Sequence, residues 1–220
     1  MKCLFEFSKG NEFIEFSKYF IDSMWRIEKS LLTRRVEKNK GKYFFKDLKN
    51  RFRSKGLSIW SLKDEEVVTW IDTSIIINRI FEEVKKLGVF LEEIRVLMEY
   101  VIPYGNHMRA DYVLIIRKTI IVLELGMFNQ DERRSEERYT KKLHETIAYR
   151  QVLSNQLPKE IKTFNYVMIY KPEYDDIADK DIIENIEYNQ NEIHLFAKYI
   201  LGIYDSEIRK DGYYFLSLIE

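Results

Sequence analysis

The amino-acid sequence predicts an α/β fold in which a mixed sheet is flanked by helices. Residues 94–125 contain three short runs rich in Val, Leu and Ile, which are typical of strands. Stretches with apolar residues at three- and four-residue spacing, which are typical of helices, precede and follow these runs. The predicted order of the core is therefore helix, three strands, helix, strand.

Helical spacing begins near the N-terminus. Apolar residues recur every three or four positions over ~11–35, which predicts a first helix. A short helix is expected from Tyr43 to Arg53. A longer one should begin at an N-cap, Ser61 or Asp64, and end at Gly88, because glycine commonly follows a helix.

The three strand candidates are Ile94–Ile102, Ala110–Ile116 and Thr119–Leu125. Only Arg117 and Lys118 separate the last two, which predicts a tight antiparallel hairpin, although its turn lacks the favoured glycine. The nearly continuous apolar runs indicate strands that are covered on both faces.

The C-terminal half continues with a helix over ~131–156, which should stop at Pro158, and a fourth strand at Phe164–Tyr170. One or two helices, at ~179–187 and ~191–204, and a short closing strand at Tyr213–Leu218 are predicted after it. The chain then divides into an N-terminal helical, basic region, a core and a C-terminal helical extension, at residues 1–60, 61–175 and 176–220.

Composition limits the class of protein. Apolar residues make up 45% of the 220 residues and aromatic residues 15%, which excludes a mainly disordered chain. Glu6 and Lys9 interrupt the start where a signal peptide needs apolar residues, and no apolar run approaches the ~20 residues of a membrane helix. Cys3 is the single cysteine, so an internal disulfide is excluded. We therefore expect a cytoplasmic protein with no membrane partner.

The formal net charge is zero, but residues 26–57 contain twelve basic and only three acidic side chains. Aromatic residues interleave with these cations, a combination that suits nucleic acid. The alternative is a solvated segment whose charges meet the acidic C-terminal part of the same chain. The candidate nucleic-acid-binding residues of this segment are Arg34, Arg35, Lys38, Lys40, Lys42, Lys49, Arg51 and Arg53.

Two acidic residues stand out in the predicted hairpin, where most residues are Val, Leu and Ile. Asp111 and Glu124 are each six positions from the two-residue turn, so they should face each other with Cβ atoms about 4.5–5.5 Å apart. Two such carboxylates repel each other, and a shared divalent cation, Mg²⁺ or Mn²⁺, would offset the repulsion. The alternative is a pair at the end of the sheet that is neutralised by Arg109 or Lys142.

Two further residues of this part of the chain have open roles. Glu99 could supply a third oxygen or could face solvent from its strand. Arg109 could hold a phosphate or neutralise the carboxylates.

The segments Glu99–Pro103, Arg109–Asp111 and Ile121–Leu125 resemble the PD-(D/E)XK nuclease superfamily, and within it the variants found beside or fused to helicase-like proteins. The resemblance covers residues ~65–170. It implies a restriction-endonuclease-like core (α-β-β-β-α-β) and a nuclease that cuts phosphodiester bonds, in DNA rather than RNA. Asp111 and Glu124 would hold Mg²⁺ or Mn²⁺ with help from Glu99, and Gln151 and Tyr149 would match the Gln and Tyr of the family's next helix. A homodimer, and a helicase or ATPase partner on another chain, are open alternatives.

One position departs from the family pattern. Gly126 stands where the family has a lysine, which is held to position the attacking water and to stabilise charge on the phosphorus. Lys141 or Lys142 of the following helix could replace it, whereas Lys118 lies about 20 Å away at the other end of the hairpin. The alternative is that no lysine replaces it. The chain would then keep the fold, would have lost or weakened cleavage, and would bind nucleic acid or a partner protein. Whether a lysine reaches Asp111 and Glu124 distinguishes these hypotheses.

Overall fold

The computed structural model describes residues 2–57, 61–103, 108–128 and 132–217; the side chains of Glu132 and of residues 208–217 lie outside this description. The described helices are α1 (Gly10–Asp22), α2 (Leu32–Asn39), α3 (Tyr43–Ser54), α4 (Asp64–Lys86), α5 (Glu132–Gln156) and α6 (Ile183–Ser217). The described strands are β1 (Phe5–Phe7), β2 (Ile94–Val101), β3 (Arg109–Ile116), β4 (Thr119–Met127), β5 (Lys162–Tyr170), β6 (Tyr174–Asp175) and β7 (Lys180–Asp181).

Five of these strands form one mixed sheet in the order β1-β2-β3-β4-β5. The pairs from β1 to β4 are antiparallel, and β5 lies parallel to β4 because α5 carries the chain back between them. The predicted two-residue turn between β3 and β4 is confirmed, with Ile116 opposite Thr119. Arg117 takes the left-handed conformation (φ 51°) that glycine would otherwise supply there.

Helices cover both faces of the sheet, as the apolar strands predict. The core on one face combines the sheet with α1, α4 and α6. The other face has a smaller core beneath α5, to which Val113, Val122 and Leu153 contribute. This sandwich fixes α5 against the ends of β3 and β4, where the candidate site lies.

The prediction of one helix over ~11–35 was wrong. Helix α1 ends at Asp22, Met24 adopts φ 54°, and the chain enters α2 only at Leu32. The break is a Schellman motif: the amide of Trp25 donates to the carbonyl of Phe20 at 3.1 Å and that of Met24 to the carbonyl of Ile21 at 2.9 Å. Beyond it the indole N–H of Trp25 donates to the buried Asp72 on α4 at 2.7 Å. The N-cap of α4 is Lys63, with Asp64 as its first residue, whereas Gly88 follows the helix as predicted.

The C-terminal predictions also need correction. Residues 183–217 form one helix, α6, which was one of the two alternatives, and 213–217 are helical in place of a strand. Asn189, at the expected break, uses its amide to bond the main chain of Lys171 and so does not interrupt the helix. The edge strand β1, which pairs Phe5 with Met98, was not predicted.

The apolar core is continuous across the predicted boundaries at residues 60 and 175, since it extends from Leu4 to Tyr204. None of the helices in the described ranges is both long and apolar enough to cross a membrane.

Candidate functional site

The site begins where the β3–β4 ladder ends. Backbone pairing stops at Tyr112 and Leu123, and the next two positions in the same register are Asp111 and Glu124, as the hairpin predicts. The amide of Asp111 donates to Glu124 Oε1 at 3.0 Å, and the amide of Leu125 donates to Asp111 Oδ2 at 2.9 Å. The two carboxylates thus replace main-chain carbonyls as acceptors, which holds them side by side.

A lysine reaches this pair from the neighbouring helix. Lys142 Nζ on α5 lies 3.0 Å from Asp111 Oδ2 and 2.6 Å from Glu124 Oε2. Burial alone would lower the pKa of Lys142, but the adjacent carboxylates raise it above its ordinary value. The ammonium is therefore charged and bridges both acids.

Burial raises the pKa of Glu124 well above its ordinary value, and the charge of Asp111 raises it further, while Lys142 lowers it. One cation thus meets two carboxylates in a partly enclosed site. Its residual negative charge would favour a second cation or a proton.

The absence of a side chain at Gly126 leaves room beside Ile169 and Lys142. A Cβ built at this position would lie 3.4 Å from Lys142 Cδ and 2.8 Å from Ile169 Cδ1. The space that a side chain of residue 126 would occupy is therefore bordered by the aliphatic stem of Lys142. The glycine that departs from the family pattern sits directly beside the lysine that approaches the pair.

A second cluster adjoins the first. Glu99 in β2 faces Asp111 in register, but the ladder lacks a pair there and Glu99 adopts φ 53°, a strained conformation for this residue. Arg109 Nε lies 2.7 Å from Glu99 Oε2, and its Nη2 donates to Glu66 Oε2 on α4 at 2.9 Å. Burial raises the pKa of Glu99 to about 8 against the opposing effect of Arg109. Glu99 is thus buried and held by Arg109, and the expectation that it faces solvent was wrong.

Both clusters border one cleft of about 860 Å³. Its floor includes Glu99, Arg109, Asp111 and Lys142, and one wall is the stretch from Leu125 to Phe128. The opposite walls come from the start of α4 and from the segment before α2. The cleft thus gives solvent access to Asp111 and Lys142, whereas the side chain of Glu124 is only 4% exposed.

Not every predicted site residue lies there. Gln151 is exposed and lies nine positions after Lys142, about half a turn away around α5 at ~100° per residue. Helix geometry therefore does not bring it to the pair. Lys141, the alternative lysine, is 77% exposed and contacts Glu145 at 3.9 Å. Tyr149 is half-buried. Burial raises the pKa of its hydroxyl group, and the negative charge of Glu124 raises it further.

The basic segment behaves differently from the prediction in one respect. Arg35, a candidate for nucleic-acid binding, is 1% exposed and forms a bidentate ion pair with Asp72, with Nη1–Oδ2 and Nη2–Oδ1 distances of 2.7 and 2.6 Å. It therefore joins α2 to α4 and cannot reach a ligand. Burial would lower its pKa, but Asp72 raises it above the ordinary value.

The other candidates remain at least partly accessible. Lys38, Lys40 and Lys49 each pair at 2.5 Å with a carboxylate, namely Glu28, Glu37 and Asp64. Lys42 and Arg51 lie over aromatic rings, those of Trp25 and Phe44 and that of Phe5. Arg53 is exposed on α3, Arg34 borders the cleft and Arg109 lies on its floor. Some of the segment's charge is thus balanced by local acids and some by the acidic C-terminal part, for example Asp176 beside Arg34.

The carboxylate oxygens of Asp111 and Glu124 are the type of ligand that a hard divalent cation such as Mg²⁺ prefers. Within the described ranges, no group of three or more Asp, Glu, His or Cys side chains is arranged as a metal-binding cluster. Mg²⁺, however, is usually held by one or two carboxylates, with water and substrate phosphate as the remaining ligands. Asp111 and Glu124 meet that requirement, provided that Lys142 shares their oxygens.

Three residues of the cleft were missed at the level of sequence. They are Glu66, Arg138 and Lys29, none of which was among the predicted site residues. Arg138 Nη1 donates to the carbonyl of Met127 at 2.7 Å and lies four residues, one helical turn, before Lys142. That spacing is the signal that could have found it.

Comparison of the chain with family models, curated proteins and solved structures gave no match. The assignment of function therefore depends on the geometry of the site.

Proposed function

We propose that this protein is a metal-dependent nuclease with a restriction-endonuclease-like core of the PD-(D/E)XK type, which hydrolyses phosphodiester bonds of DNA. The observation that carries the proposal is the position of Lys142 Nζ, within 3.0 Å of both Asp111 and Glu124, beside Gly126. This triad supplies the two acids and the basic group that the resemblance requires, with the base on α5 in place of residue 126. The element order of the core and the parallel β4–β5 pair agree with it.

Each residue has a distinct part in the proposed reaction. Asp111 and Glu124 would hold the divalent cation, which supplies Lewis-acid activation of water and of the phosphate. Lys142, charged between them, is placed to orient the attacking water and to stabilise negative charge that develops on the phosphoryl oxygens. Arg109 lies on the same floor, although Glu66 and Glu99 already bind it, so its role is to orient those carboxylates.

The test is cleavage of labelled single- and double-stranded DNA and RNA with Mg²⁺ or Mn²⁺. The variants are Asp111→Asn, Glu124→Gln and Lys142→Met, and the matched control is Lys141→Met, which removes the neighbouring, exposed lysine. We expect metal-dependent cleavage that Asp111→Asn and Glu124→Gln abolish, that Lys142→Met lowers by about 10²–10³-fold, and that the control retains. Cleavage that survives Asp111→Asn would contradict the proposal.

A second candidate function is a non-catalytic module that binds nucleic acid or a partner protein. The ion triad favours it in one respect, because Lys142 already partly neutralises the carboxylates without a metal. This function would lead if no substrate is cut and calorimetry detects no Mg²⁺ or Mn²⁺ binding. Metal binding that is lost in Asp111→Asn and Glu124→Gln would instead favour the nuclease.

A further inference from the structure

The rim of the cleft combines cations with exposed apolar side chains. Leu31, which precedes α2, is 77% exposed, and Ile177, between β6 and β7, is 81% exposed. Both border the cleft together with Lys29, Arg34 and Arg138. A site for a small polar ligand would not need two large aliphatic groups held in water at its entrance.

Main-chain bonds hold the two apolar residues in place. The amide of Lys29 donates to the Tyr174 carbonyl at 2.7 Å, and the amide of Glu173 donates to the Ile27 carbonyl at 2.8 Å, so the two rim segments are tied together. Asp175 Oδ1 accepts from the amides of Ile177 and Ala178 at 3.0 and 3.1 Å. The turn that presents Ile177 to solvent is therefore fixed, and the apolar pair is preorganised.

The rim cations keep much of their capacity to bind phosphate. Lys29 and Arg34 contact Asp175 and Asp176 at 3.9 and 3.8 Å, close to the 4 Å limit for an ion pair, while their own side chains are 40% and 66% exposed. Arg138 donates to the uncharged carbonyl of Met127, which leaves its positive charge in place. A phosphodiester can therefore compete for these groups.

The depth and size of the cleft favour one strand over two. The side chains of Lys142 and Asp111 are only 18% and 28% exposed, so a scissile phosphate must enter the cleft to meet them. Its volume of about 860 Å³ lies within the range that encloses one drug-sized ligand, or about two or three nucleotides. A base-paired duplex is a stiff rod that keeps its bases stacked inside, so it offers little apolar surface to Leu31 and Ile177. A single strand exposes base faces to apolar side chains and phosphates to cations.

We propose that the cleft binds single-stranded DNA, with Leu31 and Ile177 against the bases and Lys29, Arg34 and Arg138 on the phosphates. This inference rests on the proposed nuclease function, since it assigns the substrate of the same site. The strand would pass the apolar pair before its phosphate reaches Asp111 and Lys142. A duplex would be cut only at a frayed or unpaired end.

Binding is measured apart from cleavage, with the Asp111→Asn protein and fluorescence anisotropy. The probes are a labelled oligothymidine and a blunt hairpin duplex with the same number of phosphates, at one salt concentration because affinity for both depends on salt. We expect the single strand to bind at least about tenfold more tightly. The Leu31→Ala/Ile177→Ala protein should lose about tenfold of that affinity through the lost apolar contact, whereas Leu195→Ala, which removes an exposed aliphatic side chain on α6 outside the cleft lining, should lose none.

Equal affinity for the two probes, or a double variant that behaves like Leu195→Ala, would overturn the inference. Cutting within a blunt duplex by the wild-type protein would also overturn it while the nuclease proposal stands. Selective single-strand binding that needs Leu31 and Ile177, without cleavage of any substrate, would support the inference and reject the nuclease proposal.

Discussion

Two buried cations of this protein, Arg35 and Lys142, illustrate different uses of charge. Arg35 meets one carboxylate, Asp72, in a bidentate pair, and both side chains are at most 1% exposed. Lys142 meets two carboxylates, Asp111 and Glu124, and opens to a cleft. The charges of the Arg35–Asp72 pair balance each other and are buried. The Lys142 cluster has more carboxylates than cations, and solvent reaches it through the cleft.

The difference separates a structural ion pair from a candidate reactive site. A balanced pair whose hydrogen bonds are directed inward has no use for a ligand, and the indole of Trp25 supplies a further donor to Asp72. A cluster with excess negative charge is stabilised by any cation or proton that binds to it. The adjoining Glu99–Arg109–Glu66 cluster follows the second pattern, again with two carboxylates around one cation.

The largest effect on stability should come from breaking the balanced pair. Arg35→Met leaves Asp72 buried without its cation, so the free energy of unfolding should fall by about 3–5 kcal/mol in urea denaturation. The Arg35→Met/Asp72→Asn protein removes the stranded charge and keeps an acceptor for Trp25. It should recover most of the loss; a double variant as unstable as the single one would show that charge balance is not the cause.

Lys142→Met should affect cleavage strongly and stability only weakly, the opposite of Arg35→Met. Its effect on stability should be smaller than that of Arg35→Met, because Glu124 can retain a proton when the ammonium is removed. Cleavage should fall by about 10²–10³-fold through the loss of charge stabilisation in the transition state. Calorimetry should show Mg²⁺ or Mn²⁺ binding at least as tightly as in the wild type, since the cation no longer competes. Weaker metal binding would mean that Lys142 organises the carboxylates and does not compete for them.

The two clusters also show which parts of the structure the sequence could predict. A two-residue turn determines which residues of a hairpin face each other, so counting from Arg117 and Lys118 placed Asp111 opposite Glu124. The choice between Lys141 and Lys142 stayed open, because packing on the sheet sets the rotation of α5. The burial of Arg35 could not be predicted either, since its partner is 37 residues away and only the packing of α2 on α4 brings them together.

The same reasoning explains the errors in the helices. Apolar spacing identified α3, α4 and α5 within a few residues, as local periodicity reports which face is buried. The periodicity joined α1 to the segment beyond it because Trp25 fits the apolar spacing of the helix, although the indole N–H of Trp25 donates to Asp72 on α4. It left open a break within α6, at a polar stretch whose Asn189 is hydrogen-bonded to the main chain of Lys171.

Gly126→Ala tests whether the absence of a side chain admits Lys142. The new methyl group would lie 2.8 Å from Ile169 Cδ1 and 3.4 Å from Lys142 Cδ, so the free energy of unfolding should fall by about 1–3 kcal/mol. Displacement of the lysine should lower cleavage by about tenfold, or up to a hundredfold for a shift near 1 Å.

The control for this variant is Gly126→Ala/Ile169→Val, because valine lacks the Cδ1 atom that the new methyl group meets. Stability should return toward that of the wild type. Cleavage should return with it only if Lys142 regains its place. Recovery of stability without recovery of cleavage would locate the remaining defect at the 3.4 Å contact with Lys142.

The remaining effect is a pH dependence of stability that belongs to the Glu99–Arg109–Glu66 cluster. Burial raises the pKa of Glu99 from 4.5 to about 8, so between these values the folded protein holds a proton that the unfolded chain has lost. The free energy of unfolding should therefore fall as pH rises from about 5 to about 8, by at most about 1.4 kcal/mol per pH unit from this group.

Glu99→Gln, which cannot ionise, should flatten that slope in urea denaturation at a series of pH values. Glu15→Gln, an exposed carboxyl on α1, should leave it unchanged. Any slope that remains in Glu99→Gln should have the same sign, because the pKa of Glu124 is also raised. A wild-type protein whose stability does not fall over this window would show that Arg109 keeps Glu99 ionised and that its cluster, like that of Arg35, is stabilised by its charges.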